Sequence, residues 1–159
     1  MNELNGEAVI KSVDHSPDQI PWTNGRHLYD LWSAKKCNGT WPERRDFQIA
    51  DMKAYVSNIM IVDVVDNGAA GIDFAVRLTG TGHRDFMPYD PTGTSLSKLP
   101  HGDLVCGNLE VMLKAETPHV ALNQPVLWEN YGFKRFDCLM LPLGEGQEIS
   151  QLMLLLHYK

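Results

Sequence analysis

Basic residues are scarce. Lys and Arg number 14 against 20 Asp and Glu, a formal net charge of −6, and this excludes the concentrated positive surface that a nucleic-acid backbone demands. The basic cluster Glu43-Arg44-Arg45 is short, has acidic neighbours and reads as a solvated loop. Cysteine is scarcer still. Cys37, Cys106 and Cys138 stand far apart and odd in number, which leaves no disulfide framework and points to a reducing, cytoplasmic setting. Long apolar runs are missing as well. The longest, Leu152 to Leu156, falls far below the ~20 residues a membrane-spanning helix needs, so no membrane insertion is expected. The first residues, with Glu3 and Glu7 and no apolar stretch, do not read as a signal peptide. No Cys or His pair has zinc-finger spacing, so no metal is expected.

What is present suits one globular domain of 159 residues, 43% apolar and 21% charged, long enough to bury a real core. Residues 1–24 mix Pro, Asp, Ser and Asn without a steady period and read as an arm before a domain over 25–159. In RHLYDLWSAKKCNG, Leu28, Leu31 and Trp32 recur at helical spacing, Lys35 and Lys36 suit the negative end of the helix dipole, and Asn38-Gly39 supplies a stop. IADMKAYVS predicts a short helix. NIMIVDVV and IDFAVRL, joined by the turn residues DNGAAG, predict a hairpin. GDLVCGNLEVMLKAETP predicts a second amphipathic helix with Asp103 as its N-cap. HVALNQPVLW, FKRFDCLMLPL and ISQLMLLLHY predict three more strands, the first marked by Pro125 as an edge or a bulge.

Hairpin-linked strands with helices grouped in the middle predict an α+β fold on an antiparallel sheet. In a strand, Leu152 to Leu156 would point apolar side chains to both faces. The first helix, from the same or a second subunit, is therefore expected to cover the second face. A homodimer follows as an expectation, with Leu28, Leu31 and Trp32 as its contacts.

The stretch FAVRLTGTGHRDFMPYDPTGTSL, Phe74 to Leu96, runs a strand into Gly80 and Gly82. A dinucleotide fingerprint would need a third glycine opening a helix, and a P-loop would need its lysine, so this is no phosphate loop. The glycines read as strand exit and turn. Asp90-Pro91-Thr92-Gly93 reads as a second turn, with Asp90 accepting bonds from downstream backbone and Pro91 fixing φ. Together with LYDLW, SNIMIVDVV and LMLPLGEG, the motifs Arg77-Leu78-x-Gly80-Thr81 and Asp90-x-Thr92-Gly93 resemble the PAS_5 family of short stand-alone bacterial PAS-domain proteins, from about Leu28 to the C-terminus. The resemblance implies a five-stranded antiparallel sheet with helices over one face, an amphipathic N-terminal helix that dimerises, and a pocket between helices and sheet. It also implies a sensory or regulatory role in signalling without catalytic activity, through a small apolar ligand, a signalling partner, or both. The chain departs from the family pattern at His83 and Arg84, where small or apolar residues are usual, and at Pro88, where glycine is.

Each site residue carries two readings. His83 would suit an axial haem ligand, yet no C-x-x-C-H attachment motif occurs. No cofactor is predicted, with haem and flavin left open. His83 and Asp85 as an acid–base pair in a cone-shaped pocket form the alternative of a small enzyme. Cys106 or Cys138, with His101 or His119 as base, would be nucleophile candidates, but both read as small core residues. The aromatics Phe74, Phe86, Tyr89, Trp128 and Phe136 and the methionines Met87, Met112 and Met140 are spaced as core. With Arg77 and His83 they form the expected wall of any pocket. Arg77, between Val76 and Leu78, equally suits the solvated face of the sheet.

Overall fold

The first helix forms where its apolar spacing predicts. In the computed structural model, which describes residues 8–13, 17–37, 39–126 and 134–159, α1 spans Thr23–Lys35 and buries Leu28, Tyr29 and Trp32. The described residues form six strands, in chain order β1 Val9–Ser12 (before α1), β2 Ile59–Asp66, β3 Ile72–Thr79, β4 His119–Pro125, β5 Arg135–Glu145 and β6 Glu148–Tyr158. They form one antiparallel sheet in the order β1-β4-β5-β6-β2-β3. The fold is α+β, with the expected β2–β3 hairpin and with α2, Gly102–Ala115, between the hairpin and the last three strands. IADMKAYVS supplies a short 3-10 turn at Ile49–Met52. Among the described residues no helix is long and apolar enough to cross a membrane.

The strand count corrects the expected five. The extra strand comes from the arm: Ile10 pairs with Ala121 and Lys11 with Val120, and the Gln124 amide also reaches the Val9 carbonyl. Four residues are too few to show a period, yet they cover backbone groups that β4 would leave unpaired as an edge. Near Pro125 the β4–β5 register slips between Ala121 and Gln124. Asn123 there adopts a left-handed φ of 55° and donates its backbone N–H to the buried Asp137 carboxylate at 2.8 Å. The Lys159 ammonium balances that carboxylate at 3.1 Å.

β6 has apolar side chains on both faces, and both are covered. Leu152, Leu154 and Leu156 join the front core under α2, with Met60, Val62 and Phe74. Met153 and Leu155 join the back core under α1, with Ile61, Leu139 and Leu141. The cover comes from the same chain. Leu28 and Trp32 are 0% and 3% exposed within it, and the Trp32 indole donates to the Pro142 carbonyl at 2.8 Å. These two side chains are spent on their own core, and Leu31 packs half-buried against it. Leu28 and Trp32 therefore leave no free surface for the dimer contact expected of them.

The helix starts differ too. At α2 no Asp103 cap forms: His101 holds the N-cap position with φ 56° and no side-chain cap bond. A Cβ on Gly102 would stand 2.2 Å from the Leu96 carbonyl oxygen, so close packing on the preceding turn sets this entry. The Asp90 turn forms as expected. Thr92 donates its N–H to the Asp90 carboxylate at 3.0 Å and its hydroxyl at 2.7 Å. Gly93, at φ 89°, then lets the chain return along β3, where Val76 exchanges bonds with Gly93 and Thr94. The turn thereby covers the outer edge of the sheet.

Candidate functional site

Between α2 and the front of the sheet lies an apolar cavity of about 50 Å³. Three expected pocket residues, Met87, Phe136 and Met140, line it beside Met60, Leu109 and Cys138. Its polar groups are Asn108 and Gln124, which bond to each other at 3.3 Å. Drug-sized ligands occupy pockets of roughly 300–1,000 Å³, so this cavity suits a molecule of a few atoms and is too small for haem or flavin. Phe74 and Met112 are fully packed in the same core and fill space there. Phe86 stacks on Tyr158 at 3.7 Å between ring centroids, and Tyr89 stands exposed on the surface. Trp128 lies outside the described residues.

His83 is no pocket donor. It is 1% exposed, with Nδ1 2.7 Å from the Tyr158 hydroxyl and Nε2 3.2 Å from the Ile59 carbonyl oxygen. The carbonyl can only accept, so Nε2 carries the proton and Nδ1 accepts from Tyr158. Both ring nitrogens are taken, which leaves none for iron. Asp85 is exposed and touches neither nitrogen, so the proposed acid–base pair does not assemble. His83 is a buried tie between the 3-10 turn at Thr81–Asp85 and the ends of β2 and β6.

That tie carries a pH signature. Burial lowers the His83 pKa, outweighing its backbone bonds, so the folded state disfavours the imidazolium. The unfolded chain takes up this proton near pH ~6.5 and the folded chain only at lower pH. The contribution is therefore full above about 6.5 and is lost as pH falls below it. Asp63, Asp73 and Asp90 are held below the usual carboxylate range, so their losses come at lower pH. The urea midpoint is expected to fall between about pH 7.5 and 5.5, and His83→Gln should remove most of that fall. An equal fall in the variant would place its source elsewhere.

The two buried thiols, Cys106 and Cys138, are held protonated. Burial, reinforced by the Asp73, Glu110 and Asp103 carboxylates, raises the Cys106 pKa to about 11. Burial pushes Cys138 up as well. His119 is buried with Nδ1 2.7 Å from the Thr117 carbonyl oxygen, a bond that fixes the ring to its own loop. Among the described residues no set of three His, Cys, Asp or Glu side chains comes together to hold a metal ion.

A second concavity was not legible in the sequence. On the back of the sheet, beside the part that α1 covers, runs an open groove of about 780 Å³. Ile59, Ile61, Leu78 and Met153 form its floor, and Phe47, Ile49 and Met52 its wall. β2 pairs Ile61 with Leu78 but Val62 with Val76, so Arg77 is the extra residue of a β-bulge. The bulge turns Arg77 and Leu78 to the same groove, which settles Arg77 on the back face, away from the front cavity. Its guanidinium donates to Asp63 through Nε at 2.8 Å and through a second nitrogen, while Gln151 donates to the other carboxylate oxygen at 2.7 Å. Burial alone would raise the Asp63 pKa. Bonds from Gln151 and Arg77, with the charges of Arg77 and Arg44, bring it below the usual range. The chain matches no protein-family model, no curated protein and no solved structure.

Proposed function

We propose that this chain is a non-catalytic, PAS-like regulatory protein, as its resemblance to the PAS_5 proteins implies, and that it works by protein contact through the back groove. The observation that carries this reading is the make-up of the groove. Protein interfaces are enriched in Arg, Met and aromatic residues and depleted in Lys. Three of the six arginines, Arg44, Arg45 and Arg77, line the groove, and none of the eight lysines does. The front cavity adds a place for a small apolar molecule of a few atoms. Cavity and groove share strands: Met60 and Leu154 face the first, Ile61 and Met153 the second. A molecule in the cavity would bias the groove only as far as it prefers one arrangement of those strands.

Two measurements on the full chain test this reading. Native mass spectrometry and a visible spectrum of freshly purified protein should show no retained haem or flavin. Quantitative capture of proteins from a bacterial lysate should yield partners that Arg44→Glu loses and Lys114→Glu, on α2, keeps. Identical capture by both variants would remove the groove from the function.

A further inference from the structure

The groove's charges name an occupant. Arg44, Arg45 and Arg77 are matched there by Glu43, Asp63 and Glu145, three against three, although the whole chain carries −6. Two copies repel through most of their surfaces at that charge, and a balanced, apolar-floored patch is where they can meet. Two-fold pairing demands a surface complementary to itself, and equal numbers of both signs around an apolar centre meet that demand. A foreign partner selected by charge would instead favour a groove of one sign.

The groove also holds the parts of a contact that the isolated chain leaves unused. Arg45 pairs with Glu43 at 2.6 Å and Arg77 with Asp63. The Arg44 guanidinium has no hydrogen bond or ion pair among the described residues and reaches Asp63 only through space. On the wall beside it Ile49 is 70% exposed, the most exposed large apolar side chain among the described residues. A second copy related by a two-fold axis would bring its own Ile49 and Arg44 to this groove.

We infer that the groove is a homodimer interface, closed by a second copy of this chain with Ile49 as the apolar anchor and Arg44 as the charged one. The inference rests on the groove being a protein-contact surface and adds which protein occupies it. It moves the expected dimer contact from α1 to the opposite part of the same sheet face.

Sedimentation velocity on the full chain tests it. Wild type is expected at about twice the 17.9 kDa of one chain. Ile49→Asp, at an exposed position that leaves the core untouched, should weaken the dimer by about tenfold or more, and Arg44→Glu should weaken it in the same direction. Circular dichroism confirms that both variants stay folded. A monomeric wild type at micromolar concentrations overturns the inference, as does a dimer unaffected by both substitutions. A monomer that still captures a different protein in an Arg44-dependent way overturns only the second-copy assignment and leaves groove-mediated contact standing.

Discussion

Gly80→Val is expected to cost the fold about 3 kcal/mol or more, at or beyond the upper end for overpacked sites. For a chain of this size the melting temperature should fall by roughly 6–12 °C. A Cβ at this position would stand 2.1 Å from the Ser57 carbonyl oxygen and 3.0 Å from that of Ile59. Both are backbone atoms, and neither can rotate away. The Ile59 carbonyl also accepts from the Gly80 N–H at 2.8 Å and from His83, so relief there would break two bonds. The cost is one of space alone: Gly80 sits at φ −66°, open to any residue. Gly107→Ala supplies the contrast. That glycine lies inside α2 with nothing within 4 Å of the added Cβ, and the exchange should stabilise the protein by about 1 kcal/mol. Calorimetry on both variants checks the pair. An unchanged melting temperature for Gly80→Val would mean that the backbone over residues 57–59 yields freely.

Trp32→Ala should be of similar or greater severity, about 3–5 kcal/mol for a buried aromatic. The indole lies between α1 and the sheet, near Tyr29 and Trp41 with ring centroids 6.1 and 6.3 Å away. Its N–H satisfies the Pro142 carbonyl. Deleting it leaves a cavity and an unpaired acceptor together, and a domain with only about 5–15 kcal/mol of stability loses a large part of it. Trp32→Phe keeps most of the volume and should lose only about 1 kcal/mol for the missing hydrogen bond. Equilibrium urea unfolding separates the two. The association state of whatever remains folded should not change, because the side chain faces its own sheet. A drop in mass without a drop in stability would return α1 to the dimer interface.

The division between what the sequence reveals and what it hides follows the range of the interactions. Leu152 to Leu156 announces a strand covered on both sides because its apolar run is local, and the coordinates place both covers. α1, α2 and the β2–β3 hairpin are legible for the same reason. β1 is not, since four residues of mixed polarity become a strand only when β4 is beside them. His83 shows why a lone histidine misleads: its partners Tyr158 and Ile59 are supplied by distant strands, and no local pattern names them. The groove was hidden most thoroughly. Arg44-Arg45 reads as a solvated pair until the fold sets it across from Arg77, Asp63 and Gln151. The bulge that turns Arg77 backward leaves no mark on the alternation around it.

The placement of β6 has a consequence for how the chain reaches this state. Among the described strands it is the only bridge between the ribbon β2-β3 and the ribbon β1-β4-β5. While the polypeptide is being synthesised, both ribbons wait with one raw rim each, and those rims are the places where nascent chains stick to one another. β6 follows both ribbons in the chain and brings the β2–β6 pairing between residues remote in sequence. The sheet is complete only once β6 has paired with both β2 and β5.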